Sequence, residues 1–132
     1  MNAAPQGEMG GALVLEPSAL ARIREVQAPG EADLVTEMIE AFLADAPAQL
    51  LQLTNALACS DAEALAKAAH SLKSGAGYLG AQELARLCVA LENFGRSGST
   101  AGARVLTEEL RMTFEHTRRA LNEELTRVAA AA

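Results

Sequence analysis

The chain has 132 residues, a net charge of −6 and 50% apolar residues, of which few are aromatic. This length corresponds to one domain, and the acidic balance argues against nucleic acids and anionic membrane surfaces as partners, because both are bound by basic patches. The prevalence of Ala, Leu and Glu predicts an all-α fold, and no apolar run approaches the length of about 18 residues that a membrane span needs.

The domain boundaries follow from changes in composition along the chain. Residues 1–16 contain three glycines and no apolar period, and they are predicted to form a flexible leader. A helical domain is predicted over 17–128, and the alanine-rich residues 129–132 are predicted to fray. The domain opens on a short helix over 17–26, which the Pro29-Gly30 pair ends.

The rest of the domain consists of amphipathic helices joined by short connections. Pro47 is predicted to begin a new helix, since the N–H that proline lacks has no partner in a first turn anyway. Gly80 is predicted to end a helix in the left-handed C′ position. Apolar stripes of helical period place these helices over 32–45, 47–58, 62–79, 81–96 and 102–128. The pattern favours an antiparallel, up-down-up-down four-helix bundle with a short extra N-terminal helix.

The two cysteines, Cys59 and Cys88, both lie within helical patterns. Their spacing is not that of metal ligands. We therefore predict reduced thiols in the core of a cytoplasmic protein.

His70 lies on the polar face of the helix predicted over 62–79. The core stripe of that helix lies about 160–240° away around the axis, so the imidazole is expected to face solvent. Lys73 places a positive charge within one turn of the ring, which would suit an incoming phosphoryl group. The neighbours at i−4, i+4 and i+7 are small, namely Ala66, Ser74 and Gly77, which leaves open space around the ring. From spacing alone, an ordinary surface histidine beside an ordinary lysine remains the simpler interpretation.

The helix that follows Gly80 brings a carboxylate to the level of His70. If the chain reverses at Gly80, Glu92 lies opposite the histidine and Arg96 lies one turn further along. Glu92 could then accept a hydrogen bond from the imidazole and orient it. The alternative is a plain surface pair of Glu92 with Arg96 at i,i+4 spacing, worth about 0.3–0.5 kcal/mol.

A His-x-Leu-Lys block is followed here by small residues and by a glycine ten places after the histidine. It reads His70-Ser71-Leu72-Lys73, then Gly75-Ala76-Gly77, then Gly80. At these residues the sequence resembles the histidine-containing phosphotransfer (HPt) domain family, and the resemblance covers about residues 17–126. One departure is Ser74, which replaces the glycine that often follows the lysine.

The resemblance implies a role for each residue of the candidate site. His70 would be the phosphorylated histidine and Lys73 would contact the phosphoryl group. Glu92 stands where many members have Gln or Glu near the imidazole, and Arg96 matches a basic position of some members. Ser74 could donate to a phosphoryl oxygen. The implied function is a phosphocarrier in a multistep phosphorelay, which accepts a phosphoryl group from a receiver-domain aspartate and passes it to another receiver domain.

The same resemblance implies which partners and cofactors to expect. Response-regulator receiver domains and a hybrid sensor histidine kinase would be the partners of a cytoplasmic monomer. The chain would not be an enzyme with its own ATP site, and it lacks a Gly-rich phosphate loop of the Walker type. It would need no cofactor of its own, because the partner receiver domain supplies Mg²⁺. The docking surface is predicted to include Leu20, Ile23 and Met38.

Three alternatives compete with this interpretation. A kinase dimerisation domain normally has an acidic residue directly after the histidine, where this chain has Ser71. A metal-carrying bundle uses Glu-x-x-His on core faces, whereas Lys67 and Thr113 precede His70 and His116 by three residues. No metal site is therefore expected, and His116 is predicted to be a solvated surface residue. A helical-bundle adaptor that binds a receiver or kinase without being phosphorylated remains compatible with the sequence.

Overall fold

The computed structural model describes residues 8–9 and 12–131. Helices α2 to α5 follow one another through short connections over 59–61, 79–81 and 97–102, each helix packs on the next, and α5 also packs on α2. The predicted up-down-up-down four-helix bundle with a short N-terminal helix is confirmed. The helices in this part of the chain are α1 (Pro17–Glu25), α2 (Leu34–Ala58), α3 (Ala62–Tyr78), α4 (Gln82–Arg96) and α5 (Ala103–Ala131).

The core is built mainly from aliphatic side chains, as the low aromatic content requires. Phe42 of α2 and Phe114 of α5 meet across it with their ring centroids 6.2 Å apart. The large side chains that are completely shielded from solvent include Ile39, Leu53, Leu65, Leu72, Leu84, Leu87, Leu91, Leu110 and Leu121. None of the helices in the described part of the chain has the length and apolar character that a membrane crossing requires.

A close approach of α3 and α4 fixes the geometry between these two helices. A Cβ atom at Gly95 would lie 2.6 Å from the carbonyl oxygen of Ala62 and 2.7 Å from the backbone nitrogen of Ala66. Only a residue without a side chain allows the two backbones to come so near. Residues on facing edges of α3 and α4 are consequently within hydrogen-bonding reach of one another.

The reversal between α3 and α4 occurs where the sequence predicts it. Gly80 has φ of +76°, and its neighbour Ala81 donates its backbone N–H to the carbonyl of Ala76 at 2.9 Å. The carbonyl of Gly80 also accepts the backbone N–H of Glu16 at 2.7 Å. The same glycine therefore ends α3 and binds the backbone of the residue that precedes α1.

The prediction of a new helix at Pro47 is wrong, because α2 continues through the proline without a break. An interior proline removes one helical hydrogen bond and crowds the preceding turn, which costs about 3 kcal/mol. On both sides of it, however, the apolar stripe keeps the same face, with Phe42, Ala46, Leu53 and Ala56 all buried. Packing along the whole length of the helix outweighs the local penalty.

The folded body also extends beyond the predicted limits at both ends. Before α1, the strands β1 (Glu8–Met9) and β2 (Ala12–Leu13) pair antiparallel, and Val14 is only 5% exposed. The rest of the predicted leader, residues 1–7, 10 and 11, lies outside the described residues. At the other end α5 continues to Ala131 rather than stopping at residue 128, and residue 132 is again outside the described range.

The two cysteines have different environments. Cys88 is buried in the core, as predicted, and this burial raises the pKa of its thiol to about 12. Cys59 is exposed, so the prediction of a core position for it is wrong. It stands at the C-cap of α2, after the last turn that packs on the core.

Candidate functional site

His70 lies near the middle of α3 on the face turned away from the core. Its side chain is 56% exposed, as predicted from the helical period, while the neighbouring Ala69 and Leu72 are completely buried. Its Nδ1 atom lies 2.9 Å from Oε2 of Glu92 on α4. Among the described residues, Nε2 has no hydrogen-bond partner. One ring nitrogen is therefore held by the protein and the other is free to react.

Glu92 is a buried carboxylate that three side chains share. Besides His70, it accepts a hydrogen bond from Nζ of Lys73 at 2.9 Å and from Nη2 of Arg96 at 2.6 Å. The hydrogen bond from Lys73 lowers the pKa of Glu92 most, the hydrogen bond to His70 and the charge of Arg96 lower it further, and burial opposes them. Glu92 is thus ionised near neutral pH.

The ionised carboxylate determines which tautomer the imidazole adopts. A carboxylate has no proton to donate, so Nδ1 of His70 must be the donor in this contact. In a neutral imidazole the other nitrogen, Nε2, then carries the lone pair. The ring nitrogen of this exposed side chain that does not bind Glu92 is consequently a nucleophile.

The other predicted site residues differ in how they are connected to His70. Lys73, 31% exposed, and Arg96, 68% exposed, both meet the histidine through Glu92. The pair of Glu92 with Arg96 exists, but it is not an isolated surface pair, because the Glu92 carboxylate is buried and also binds His70 and Lys73. Ser74 is exposed on the same face, and its hydroxyl donates to the backbone carbonyl of His70 at 3.3 Å.

An apolar groove of about 720 Å³ adjoins this cluster. One wall is helix α1, and the facing surface belongs to α3, including Lys73 and Gly77; the lining further includes Ile23, Val26, Met38 and Tyr78. Ile23 and Met38 were predicted for the docking surface and lie here. Leu20 does not line the groove, because it is 5% exposed and points into the core.

Two exposed residues of the groove, Val26 and Tyr78, are not among the docking residues that the sequence predicts. Val26 is 72% exposed and Tyr78 is 68% exposed. Tyr78 is the single tyrosine of the chain and follows His70 by eight residues. An aromatic side chain at that spacing lies on the polar half of α3, which is the signal that could have identified it.

The second histidine, His116, lies on α5, whereas the residues of this cluster belong to α3 and α4. His116 is exposed on α5, as predicted. Over residues 8–9 and 12–131, no group of three or more His, Cys, Asp or Glu side chains could hold a metal ion.

The model of the family described as the Hpt domain matches residues 37–131. The chain belongs to the Hpt domain family. This Hpt domain is also similar to the solved structure of histidine-containing phosphotransfer protein B (HptB) from Pseudomonas aeruginosa PAO1. The TM-score is 0.77 and the identity is 32%, over 86% of this chain and 96% of that chain. None of the curated proteins matches the chain.

Family membership and this similarity establish the role of the chain. It is a phosphocarrier in phosphorelay signalling. Hpt domains interact with receiver domains and histidine kinases, and they act as phosphotransfer intermediates.

Proposed function

We propose that Nε2 of His70 accepts a phosphoryl group from the aspartyl phosphate of one receiver domain and passes it to an aspartate of another. The observation that carries the proposal is the contact of Nδ1 with the buried carboxylate of Glu92. This contact holds the ring in one orientation and one tautomer, with the nucleophilic nitrogen in solvent.

The transfer step follows from this arrangement. The lone pair on Nε2 attacks phosphorus, and the bond from phosphorus to the aspartate oxygen breaks with its electron pair on that oxygen. The Nδ1 proton stays in its hydrogen bond to Glu92, which stabilises the positive charge that develops on the ring. Attack by the carboxylate of the second receiver reverses the sequence and leaves His70 neutral.

Lys73 and Arg96 are suited to bind the phosphoryl oxygens. An ammonium has three N–H donors and a guanidinium has five, so each can keep its hydrogen bond to Glu92 and still donate to a phosphoryl group. Ser74 can donate only if its hydroxyl leaves the carbonyl of His70. We therefore assign the main phosphoryl contact to Lys73, which is one turn from the histidine.

In this proposal the partner proteins supply the metal ion and the source of the phosphoryl group. The domain works without its own ATP site or cofactor, and Mg²⁺ and acidic residues of the receiver stabilise most of the charge of the transition state. The receiver docks over the apolar groove beside Lys73. A hybrid sensor histidine kinase stands upstream of a cytoplasmic, monomeric carrier.

The test is incubation with a phosphorylated receiver domain, followed by mass measurement of the intact chain. We expect an acid-labile phosphoryl group on wild type and none on His70→Gln. The matched control is His116→Gln, which removes the other histidine of the chain and should be phosphorylated like wild type. Phosphorylation of His70→Gln would contradict the assignment. Absence of transfer to wild type from any cognate receiver would favour an adaptor that is never phosphorylated.

A further inference from the structure

We propose that the ion pair between Arg24 and Glu124 positions α1 as a wall of the apolar groove, which makes Arg24 a positioning residue for receiver recognition. The inference rests on the proposed function, in which a receiver docks over this groove. Helix α1 precedes residues 37–131, the part that the family model matches. The ion pair therefore joins Arg24, which precedes the matched region, to Glu124, which lies within it.

The ion pair joins the first and last helices of the domain. Nη2 of Arg24 lies 2.7 Å from Oε2 of Glu124. The Glu124 side chain is only 8% exposed, and its other oxygen accepts from Nη1 of Arg127 at 2.8 Å. A carboxylate buried to this degree needs charged or hydrogen-bonding partners, and Arg24, whose side chain is 46% exposed, supplies one of them.

Helix α1 depends on such contacts because it is short. It has nine residues, fewer than an isolated helix needs to be stable in water. The N-terminal end of α1 packs against the turn between α3 and α4. A Cβ on Gly80 in that turn would come within 2.7 Å of the Cβ of Ala19. The last turn of α1 carries Arg24, which reaches α5. The two ends of α1 are therefore fixed on different parts of the bundle.

The last turn of α1 is also the part that shapes the groove. Ile23 and Val26 line the groove and flank Arg24 in sequence, and Lys73 and Gly77 line it from α3. A shift of this turn would change the width of the groove without reaching Glu92 or the imidazole. Loss of the tether should weaken receiver docking and leave the nucleophile intact.

The experiment compares Arg24→Gln with Arg127→Gln. Both variants remove one arginine from the same carboxylate, but Arg127 lies on α5 with Glu124 and does not reach α1. For transfer from a phosphorylated receiver, we expect KM to rise about three- to tenfold in Arg24→Gln, with kcat unchanged, and to stay near wild type in Arg127→Gln. Equal changes of KM in the two variants would overturn the proposal.

Two further measurements separate the tether from the proposed function. Phosphoramidate, a small phosphodonor that needs no docking surface, should phosphorylate Arg24→Gln and wild type at the same rate. Hydrogen exchange of the α1 amides should be faster in Arg24→Gln than in Arg127→Gln. Equal exchange in the two variants overturns the tether by itself. Absence of any transfer to wild type is instead a failure of the proposed function and removes the role in recognition with it.

Discussion

Nδ1 of His70 lies 2.9 Å from Oε2 of Glu92, and the Glu92 side chain is only 5% exposed. An exposed imidazole is thus anchored on a carboxylate that water hardly reaches. The anchor comes from α4 and the histidine from α3, so the contact depends on how closely these helices pack. It also ties the nucleophile to the two cations, Lys73 and Arg96, that share the carboxylate.

Substitution of Glu92 should slow phosphorylation of His70. Glu92→Gln keeps an oxygen that can accept the Nδ1 proton but loses the charge, whereas Glu92→Ala loses the hydrogen bond as well. A hydrogen bond to a charged group is worth about 1.5–3 kcal/mol, so we expect Glu92→Ala to be slower than wild type by about tenfold to a hundredfold. The phosphorylation rate of Glu92→Gln should lie between those of wild type and Glu92→Ala. Initial rates of phosphohistidine formation provide the measurement, and a wild-type rate for Glu92→Ala would remove the anchor from the mechanism.

The free energy of unfolding should depend on pH through the same carboxylate. The pKa of Glu92 in the folded chain is below its ordinary value of 4.5. The ionised Glu92 therefore contributes fully to the free energy of unfolding above pH 4.5. This contribution is lost as the pH falls through the lower pKa of Glu92 in the folded chain. Glu92→Gln should flatten the stability profile in this acidic range.

Urea unfolding from neutral pH down to about pH 3 measures this dependence. The control is Glu40→Gln, since Glu40 is exposed and has no hydrogen bond or ion pair among the described residues. If Glu40→Gln and Glu92→Gln changed the pH dependence of stability equally, the lowered pKa of Glu92 would not be its cause.

Gly77→Ala should make the domain more stable and a poorer acceptor. A Cβ on Gly77 meets no atom within 4 Å, and replacing a helical glycine by alanine stabilises by at most about 0.5–1 kcal/mol, the upper end applying to helix interiors rather than to the last turn of α3. The new methyl group would project toward the groove beside Lys73, where a receiver must come close. We expect a higher melting temperature and a higher KM for the phosphorylated receiver.

Gly75→Ala provides the contrast two residues away on the same helix. The new Cβ would lie 2.7 Å from Cδ1 of Phe42, so we expect the free energy of unfolding to fall by about 1–3 kcal/mol. A Gly77→Ala variant that is more stable and transfers normally would show that the open face is not needed for docking.

The local parts of the site were predictable from the sequence. The exposure of His70 follows from the apolar period of one helix. The reversal after α3 follows from a glycine that can adopt positive φ, and the position of Glu92 opposite His70 follows from counting residues on either side of Gly80. Each of these depends only on the geometry of one helix or of one helical hairpin.

The remaining parts depend on how the helices pack. The burial of Glu92 follows from the close approach that Gly95 permits, and no pattern within α4 reveals it. The continuation of α2 through Pro47 results from packing along both halves of the helix. The contact of Arg24 with Glu124 joins residues a hundred positions apart, which periodicity within a helix cannot detect.

Val26→Asp should weaken receiver docking and leave the four-helix bundle folded. Val26 lines the groove and is 72% exposed, so a charged side chain there keeps its hydration in the free domain. In a complex it would be desolvated against apolar surface, which raises KM. The matched control is Val105→Asp, at a similarly exposed valine (67%) on α5 outside the groove. Equal KM values for the two variants would place the docking surface elsewhere.

Gly95→Ala should disturb both the fold and the phosphotransfer site, because the backbone atoms that a Cβ would meet cannot move away cheaply. They are the carbonyl oxygen of Ala62 at 2.6 Å and the nitrogen of Ala66 at 2.7 Å. Forced apart, α3 and α4 should lose about 1–3 kcal/mol of packing, and Glu92 should move away from His70. We expect lower stability in urea together with slower phosphorylation under conditions where the chain is still folded. A variant that unfolds more easily but is phosphorylated at the wild-type rate would separate helix packing from the anchoring of the imidazole.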